Sequence, residues 1–472
     1  MPFTSDLRVF VGKNVVLSSA APPTPATIET SKSTGRVTAV HHEARPKGAY
    51  ADLVSEDYID AGDLYILPGL VDAHVHLNEP GRTDWEGFYT GTRAAASGGV
   101  TTVVDMPLNS IPPTTTVAHL ETKRAAAQRQ CWTDVAFWGG VIPGNQEHLV
   151  PMVGAGVKGF KCFMIESGVE EFPCVTEADL EPAMEALEGT GSTLLFHAEF
   201  DDHSHVPAPD APSDSTLYAT FLASRPPAFE TAAIARIIRL QALFPALRCH
   251  IVHLSAAAAL PLIRSARAAG AKLTVETCFH YLCLAAADVP NGRPEFKCCP
   301  PIRGADNREA LWEALADGTI DCVVSDHSPC VAELKRLDDG DIMSAWGGIS
   351  TLGLGLSLLR TEARRRGFGI ERVVRWTCEA TAEHAGLQER KGKLAVGYDA
   401  DLVLWDPDGE LTCGEQITKE TLNFKNKLTP YEGRTLRGRV ETTVLRGRIV
   451  YDRAGDVRAG NRGTVSQGLS AG

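Results

Sequence analysis

The segment Leu70-Val-Asp-Ala-His-Val-His76 sets two histidines two residues apart. Side chains alternate faces along a strand, so His74 and His76 share one face and can grip the same metal ion. Alone, such a pair describes two ordinary polar residues equally well. Three further strand-like runs end in a metal-competent side chain: Phe196-His197-Ala-Glu, Ile251-Val-His253-Leu-Ser and Val324-Ser-Asp326-His-Ser. Four imidazoles and a carboxylate delivered from four strand ends suit Zn or a similar first-row divalent ion. Lys161, in Val157-Lys-Gly-Phe-Lys-Cys-Phe163, is the unusual member. A protonated lysine would be repelled by such ions. A neutral one can take up CO2 and become a carbamate, whose two oxygens can bridge two metals about 3.5–4 Å apart. A surface or salt-bridging lysine is the plain alternative, and residue type leaves both open.

Stepping outward, these residues need strands that end on a common face. Between Gly99 and Ser325 short β-branched runs alternate with segments of helical period. Gly99–Asp105 precedes a helix near His119–Gln130, Thr193–His197 follows one near Ala178–Leu187, and Arg248–His253 follows one near Thr231–Leu243. Ala271–Glu276 and Ile320–Ser325 each come after Ala-rich helical stretches. Strands spaced by helices predict a parallel sheet, and so many repeats predict an α/β fold closed as a (β/α)8 TIM-like barrel over 68–394, with its active face at the strand C-termini. The flanks read differently. Leu7–Val11, Asn14–Leu17 and Gly35–Val40, with Ser18–Ser33 read as a polar Pro/Ser/Thr-rich connection, match in texture Asp401–Trp405, Gly438–Leu445 and Gly447–Tyr451. Neither end has enough material for a core, so 1–67 and 395–472 are predicted to pair into one small composite β-sandwich domain, with Ala454–Gly472 frayed.

The 472 residues carry 46 Lys+Arg against 59 Asp+Glu, a formal charge of −13, so neither nucleic acid nor an anionic membrane is an expected partner. No apolar run approaches the ~18 residues a membrane span needs. Met1–Phe10 lacks the basic start and apolar core of a secretory signal, and the twelve cysteines include no Cys-x-x-Cys pair. Free buried thiols in a cytoplasmic protein are the expectation.

Pro68-Gly-Leu-Val-Asp-Ala-His-Val-His-Leu-Asn-Glu-Pro-Gly81, Gly98-Gly-Val-Thr-Thr, Gly159-Phe-Lys-Cys-Phe163, His197, His253 and Ser325-Asp-His-Ser-Pro329 occur in the order seen in the cyclic amidohydrolases of the amidohydrolase superfamily. The chain resembles that family over roughly Asp63–Asp401. Among its branches, dihydroorotases carry an arginine where Asn78 stands, and hydantoinases a tyrosine where Glu166 stands. The metal-free structural relatives have lost ligands that are all present here. Asn78–Gly87, Phe160–Gly168 and Ala345–Ile349 are similar to the allantoinase branch.

The resemblance implies two divalent ions, Zn first, with Co, Fe or Mn as other options. His74 and His76 would bind one and His197 and His253 the other, with N6-carboxylated Lys161 bridging and Asp326 completing the first shell. It implies attack of a metal-bridging hydroxide on the hydantoin-ring amide of allantoin, Asp326 shuttling the proton to the departing nitrogen, with allantoate as product in purine catabolism. Hydantoinase or dihydropyrimidinase activity is the alternative, and a non-catalytic scaffold a further one. By the same resemblance, backbone groups at Cys299 and near Trp346-Gly347 would hold the ring amide, Asn109 is a further substrate contact, and the assembly is a homotetramer. Of the other histidines, His250 is read as packing, His327 as a partner that orients a ligand, and His280 as lining the pocket or capping a strand. His41, His42, His203 and His205 are read as surface.

Overall fold

The computed structural model describes residues 6–201, 213–410 and 417–455. Eight positions around a parallel barrel are filled in chain order by strands Leu70–Val75, Val100–Asp105, Asp134–Phe137 with Gly139–Gly140, Phe160–Phe163, Thr193–His197, Arg248–Ile251, Leu273–Cys278 and Cys322–Val324. Neighbours pair in parallel register, for example Phe163 with His197 and Cys278 with Val324. The last position returns to the first through a bridge between Val75 and His327, where the His76 N–H donates to the His327 carbonyl at 2.8 Å. Nearly every strand residue is buried, as expected of a parallel sheet covered by helices on its outer face. Helices such as Val117–Ala127, Glu177–Leu187 and Pro227–Leu243 follow the strands. The bulky Trp138 interrupts the third position and donates its indole N–H to the Ala73 carbonyl at 2.8 Å, filling the barrel interior.

The remaining strands form one eight-stranded sheet drawn from both ends of the chain. Tyr65–Pro68 pairs in parallel with the end of Leu7–Val15 on one side and antiparallel with Leu402–Glu410 on the other. The sheet carries a core of its own that includes Phe10, Ile28, Ile66, Leu402, Leu404 and Val444. Two details differ from the sequence reading. Leu7–Val15 is one strand with an irregularity between Gly12 and Val15, not two strands. The Ser18–Ser33 stretch contains a strand, Thr24–Ser31, because its β-branched Thr27, Ile28 and Thr30 bury well against a pleated surface and Pro25 sits at its start, where no ladder donor is lost. His203, His205 and most of Ala454–Gly472 lie outside the described residues. Among the described residues no helix is long and apolar enough to cross a membrane, and the eleven cysteines are all free thiols.

Barrel and sheet are joined by a buried charge cluster. The Lys391 ammonium lies 2.7 Å from Asp134 at the start of a barrel strand, 2.7 Å from Asp401 and 3.0 Å from Asp399 at the entry to the sheet. Arg446 and Arg390 supply the other positive charges. Removing one partner of such a buried set leaves charge uncompensated, so Lys391→Met is expected to cost roughly 3–5 kcal/mol, read as a drop in the urea midpoint; an unchanged midpoint would contradict the interlock.

Candidate metal centre

Every site residue singled out from the sequence lines one cavity of about 430 Å³ at the C-terminal mouth of the barrel: His74, His76, Asn109, Lys161, His197, His253, Cys299, Asp326, Trp346 and Gly347. The mouth is where parallel strands run out, so side chains from distant segments meet there. Rings of His74 and His76 lie 5.5 Å apart, His74 and His253 5.5 Å, and His197 and His253 4.6 Å. Two of these residues reach the cavity through left-handed backbone just beyond a strand end, His253 at φ 40° and Asp326 at φ 43°. Such conformations cost non-glycine residues on the order of 1–3 kcal/mol and persist where something else demands the geometry.

Proton positions follow from the hydrogen bonds. His74 Nδ1 lies 2.5 Å from the Glu276 carboxylate, so Nδ1 carries the proton and Nε2 presents a lone pair. That lone pair meets Asp326 Oδ1 at 3.2 Å, and His76 Nε2 meets the same oxygen at 3.4 Å. His74 Nε2 is buried without a hydrogen-bond partner, as is His253 Nδ1. Ligand atoms of His74, His76 and Asp326 thus converge within 4.8 Å, and the His74 Nε2 lone pair facing the Asp326 carboxylate repels it unless a cation sits among them. His197 Nε2 bonds Glu199 at 2.7 Å, leaving Nδ1 for the cavity, and Glu199 also accepts from Arg225 at 2.6 Å. Phe163 stacks on His197 at 4.5 Å and 15°.

Burial lowers the pKa of His76, His197 and, most strongly, His253, so the imidazoles are neutral and offer lone pairs. Burial likewise pushes the Lys161 amine down to about 8. Its side chain is 1% exposed and makes no hydrogen bond or ion pair among the described residues, an expensive place to hold an ammonium. For Asp326 burial is the largest influence and acts upward, but His74, His76 and His280 together outweigh it and hold the carboxyl at about 2. Glu199 is held at about 2 despite burial, by Arg225 and His197. The donor set therefore fits divalent cations.

Several contributors escape a reading of the sequence. Glu276 and Glu199 hydrogen-bond His74 and His197; the spacing of His197 and Glu199, two apart after a strand, was the available signal for the second. Lys297 donates to the carbonyls of Met343 and Ala345, both at 2.7 Å, and Lys335 to those of Trp346 and Gly348, clamping the loop that carries Gly347. The backbone amides and carbonyls of Gly347 and Cys299 have no hydrogen-bond partner among the described residues and stand available at the cavity wall. Asn109 has left-handed φ 65°, a buried unpartnered Oδ1, and its amide nitrogen 3.5 Å from His76 Nδ1. Glu166 also lines the cavity and accepts from the Cys174 thiol. His327 is not aimed at the cluster: its Nδ1 accepts the N–H groups of Thr351 and Leu352, and its Nε2 faces Glu86.

A (β/α)8 barrel with this constellation at its mouth defines a metal-dependent hydrolase. The sequence matches the model of the Amidohydrolase family over residues 65–450. It is 51% identical to an allantoinase of Saccharomyces cerevisiae, with 83% of this chain and 84% of that protein aligned. It is also 51% identical to an allantoinase of Streptomyces avermitilis, over 89% and 90% of the two chains. Among solved structures, an L-hydantoinase (dihydropyrimidinase) from Arthrobacter aurescens superposes with a TM-score of 0.86 at 28% identity, covering 97% of this chain and 99% of that one. The chain belongs to the amidohydrolase family and, within it, to the allantoinases.

Proposed function

We propose that this protein opens the hydantoin ring of allantoin by hydrolysis of the ring amide, yielding allantoate. The observation that carries the chemistry is the convergence of His74, His76 and Asp326 ligand atoms within 4.8 Å. The substrate rests on relatives named allantoinases at 51% identity. The hydantoinase alternative rests on shared fold at 28% identity, and Glu166 stands where that branch carries tyrosine.

His74, His76 and Asp326 would hold one divalent ion and His197 and His253 a second, with Lys161 between them as a carbamate; Zn suits the donors best, with Co, Fe or Mn as substitutes. When bound, the ions supply acidification of water and polarisation of the scissile carbonyl. Ionised Asp326 accepts the proton released by water and delivers it to the departing ring nitrogen, base first and acid second. Backbone groups of Cys299 and Gly347 hydrogen-bond the ring amide, Asn109 presents its side-chain amide, and Trp346 closes one wall. The test is an assay of allantoin, hydantoin, dihydrouracil and dihydroorotate with metal-loaded and chelated protein. Metal-dependent opening of allantoin well above the others is expected; preference for hydantoin or dihydrouracil would overturn the substrate.

Carbamate formation consumes a neutral amine and CO2 and releases a proton. With the Lys161 amine at about 8, the neutral fraction rises through that pH. At a fixed concentration of dissolved CO2, recovery of chelated, CO2-depleted protein is therefore expected to speed up several-fold from pH 7 to pH 9, and a flat profile would remove the carbamate. The free thiols support a reducing compartment, which we assign as the cytosol, and we assign the homotetramer implied by the family resemblance.

A further inference from the structure

Beside the candidate ligands lies a second group of buried titratable side chains, His250, Glu276 and His384, to which no step of the reaction has been assigned. Glu276, on Leu273–Cys278, turns Oε1 to His74 Nδ1 at 2.5 Å and Oε2 to His250 Nε2 at 3.2 Å. His250, on Arg248–Ile251, has its other nitrogen 2.7 Å from the Thr274 hydroxyl. Its ring stacks on that of His384 at 3.7 Å and 23°, and His384 lies 5.1 Å from Trp138. Glu276 Oε1 also faces the backbone N–H of His253, where the chain takes its left-handed turn, at 3.4 Å.

The roles order themselves. Glu276 Oε2 can only accept, so the 3.2 Å approach of His250 Nε2 is attractive only as an N–H, although neither atom makes a well-directed hydrogen bond in this structure. One carboxylate thus lies between two imidazoles: it accepts from His74 Nδ1 at 2.5 Å on one oxygen and faces His250 Nε2 at 3.2 Å on the other, while His250 Nδ1 contacts the Thr274 hydroxyl at 2.7 Å. Ligand atoms of His250, Glu276 and His384 also lie within 4.8 Å of one another, which raises a third metal as a rival. Imidazole lone pairs lie in the ring plane, however, and two rings stacked at 23° point theirs side by side rather than at one centre. We propose that Glu276 and His250 are positioning residues: they fix the tautomer and tilt of His74, so that its Nε2 lone pair faces the metal position, and anchor the His253 turn through the same carboxylate.

This rests on the reading of His74 as a metal ligand, so the test separates the two. Glu276→Gln, His250→Leu, His250→Gln and His384→Phe would be compared with wild type by chelator competition and by the absorption of the Co(II)-loaded protein. Glu276→Gln is expected to lose metal roughly 10–100-fold more readily and to shift the Co(II) bands. His250→Leu should move both readouts the same way, and His250→Gln, whose side-chain N–H takes the place of Nε2, should restore them. Unchanged retention and spectrum in Glu276→Gln, or equal damage from both His250 variants, would overturn the positioning role. A third equivalent of metal in wild type, lost in His384→Phe, would overturn it in favour of the rival. Should Glu276→Gln not fold, the His250 pair decides. Wild type that takes up no metal would overturn the reading of His74 itself, and the inference with it.

Discussion

Asp326→Asn is expected to fold normally and to lose about a thousandfold in kcat on allantoin, with a smaller effect on KM. The carboxylate follows strand Cys322–Val324 and sits 3.2 Å from His74 Nε2 and 3.4 Å from His76 Nε2, held at about 2 and therefore ionised across the working range. Asparagine keeps the volume and one oxygen but removes both the anion and the basic site. General acid–base groups contribute typically 10²–10⁴-fold, and here one group serves in both directions, so the loss should lie within or above that range. Steady-state kinetics with metal content measured on the same samples would separate loss of the proton carrier from loss of metal. Near-wild-type kcat in protein with a full metal complement would sink the shuttle.

Lys161→Ala should be the most damaging substitution. The lysine is 1% exposed, makes no ion pair or hydrogen bond among the described residues, and burial brings its amine down to about 8, so a neutral amine able to capture CO2 becomes accessible just above neutral pH. Without the carbamate, two cations would share a cavity with one carboxylate, Asp326, as their nearest anion. Losing several kcal/mol of metal-assisted stabilisation, at 1.36 kcal/mol per tenfold, corresponds to a thousandfold or more. The truncated side chain also leaves room for a small carboxylate. Acetate or propionate should restore part of the activity in a saturable way, whereas chloride at equal ionic strength should not. Unimpaired turnover, or rescue equally well by chloride, would refute the bridging role.

The sequence exposed what depends on local period. His74 and His76 were legible because a strand repeats every two residues, and His197, His253 and Asp326 because each closes a β-branched run. Glu276 was not legible: it meets His74 across 202 residues, and nothing within its own segment announces that meeting. Lys297 and Lys335 were missed for the same reason, since their role is to hold carbonyls of a loop that the fold brings to them. In the fold, four-residue strands such as Asp134–Phe137 offer too few residues for a pattern. Thr24–Ser31 was hidden by its own composition, because threonine reads as loop when polarity is weighed and as strand when β-branching is.

The seating of Tyr65–Pro68 between Leu7–Val15 and Leu402–Glu410 sets a timetable for biosynthesis. The barrel strands lie between Leu70 and Val324, so all of them leave the ribosome before Leu402–Glu410, the second partner of Tyr65–Pro68, has been made. Roughly 330 residues separate the partners Pro68 and Leu402, which at about 5–20 residues per second is a wait of tens of seconds. Throughout that interval one edge of the nascent sheet carries unpaired N–H and C=O groups open to neighbouring chains. The yield of this protein in a cell is therefore tied to translation speed and to chaperones that shield that edge, and a chain halted before Leu402 would carry the whole barrel and still lack the strand that covers it.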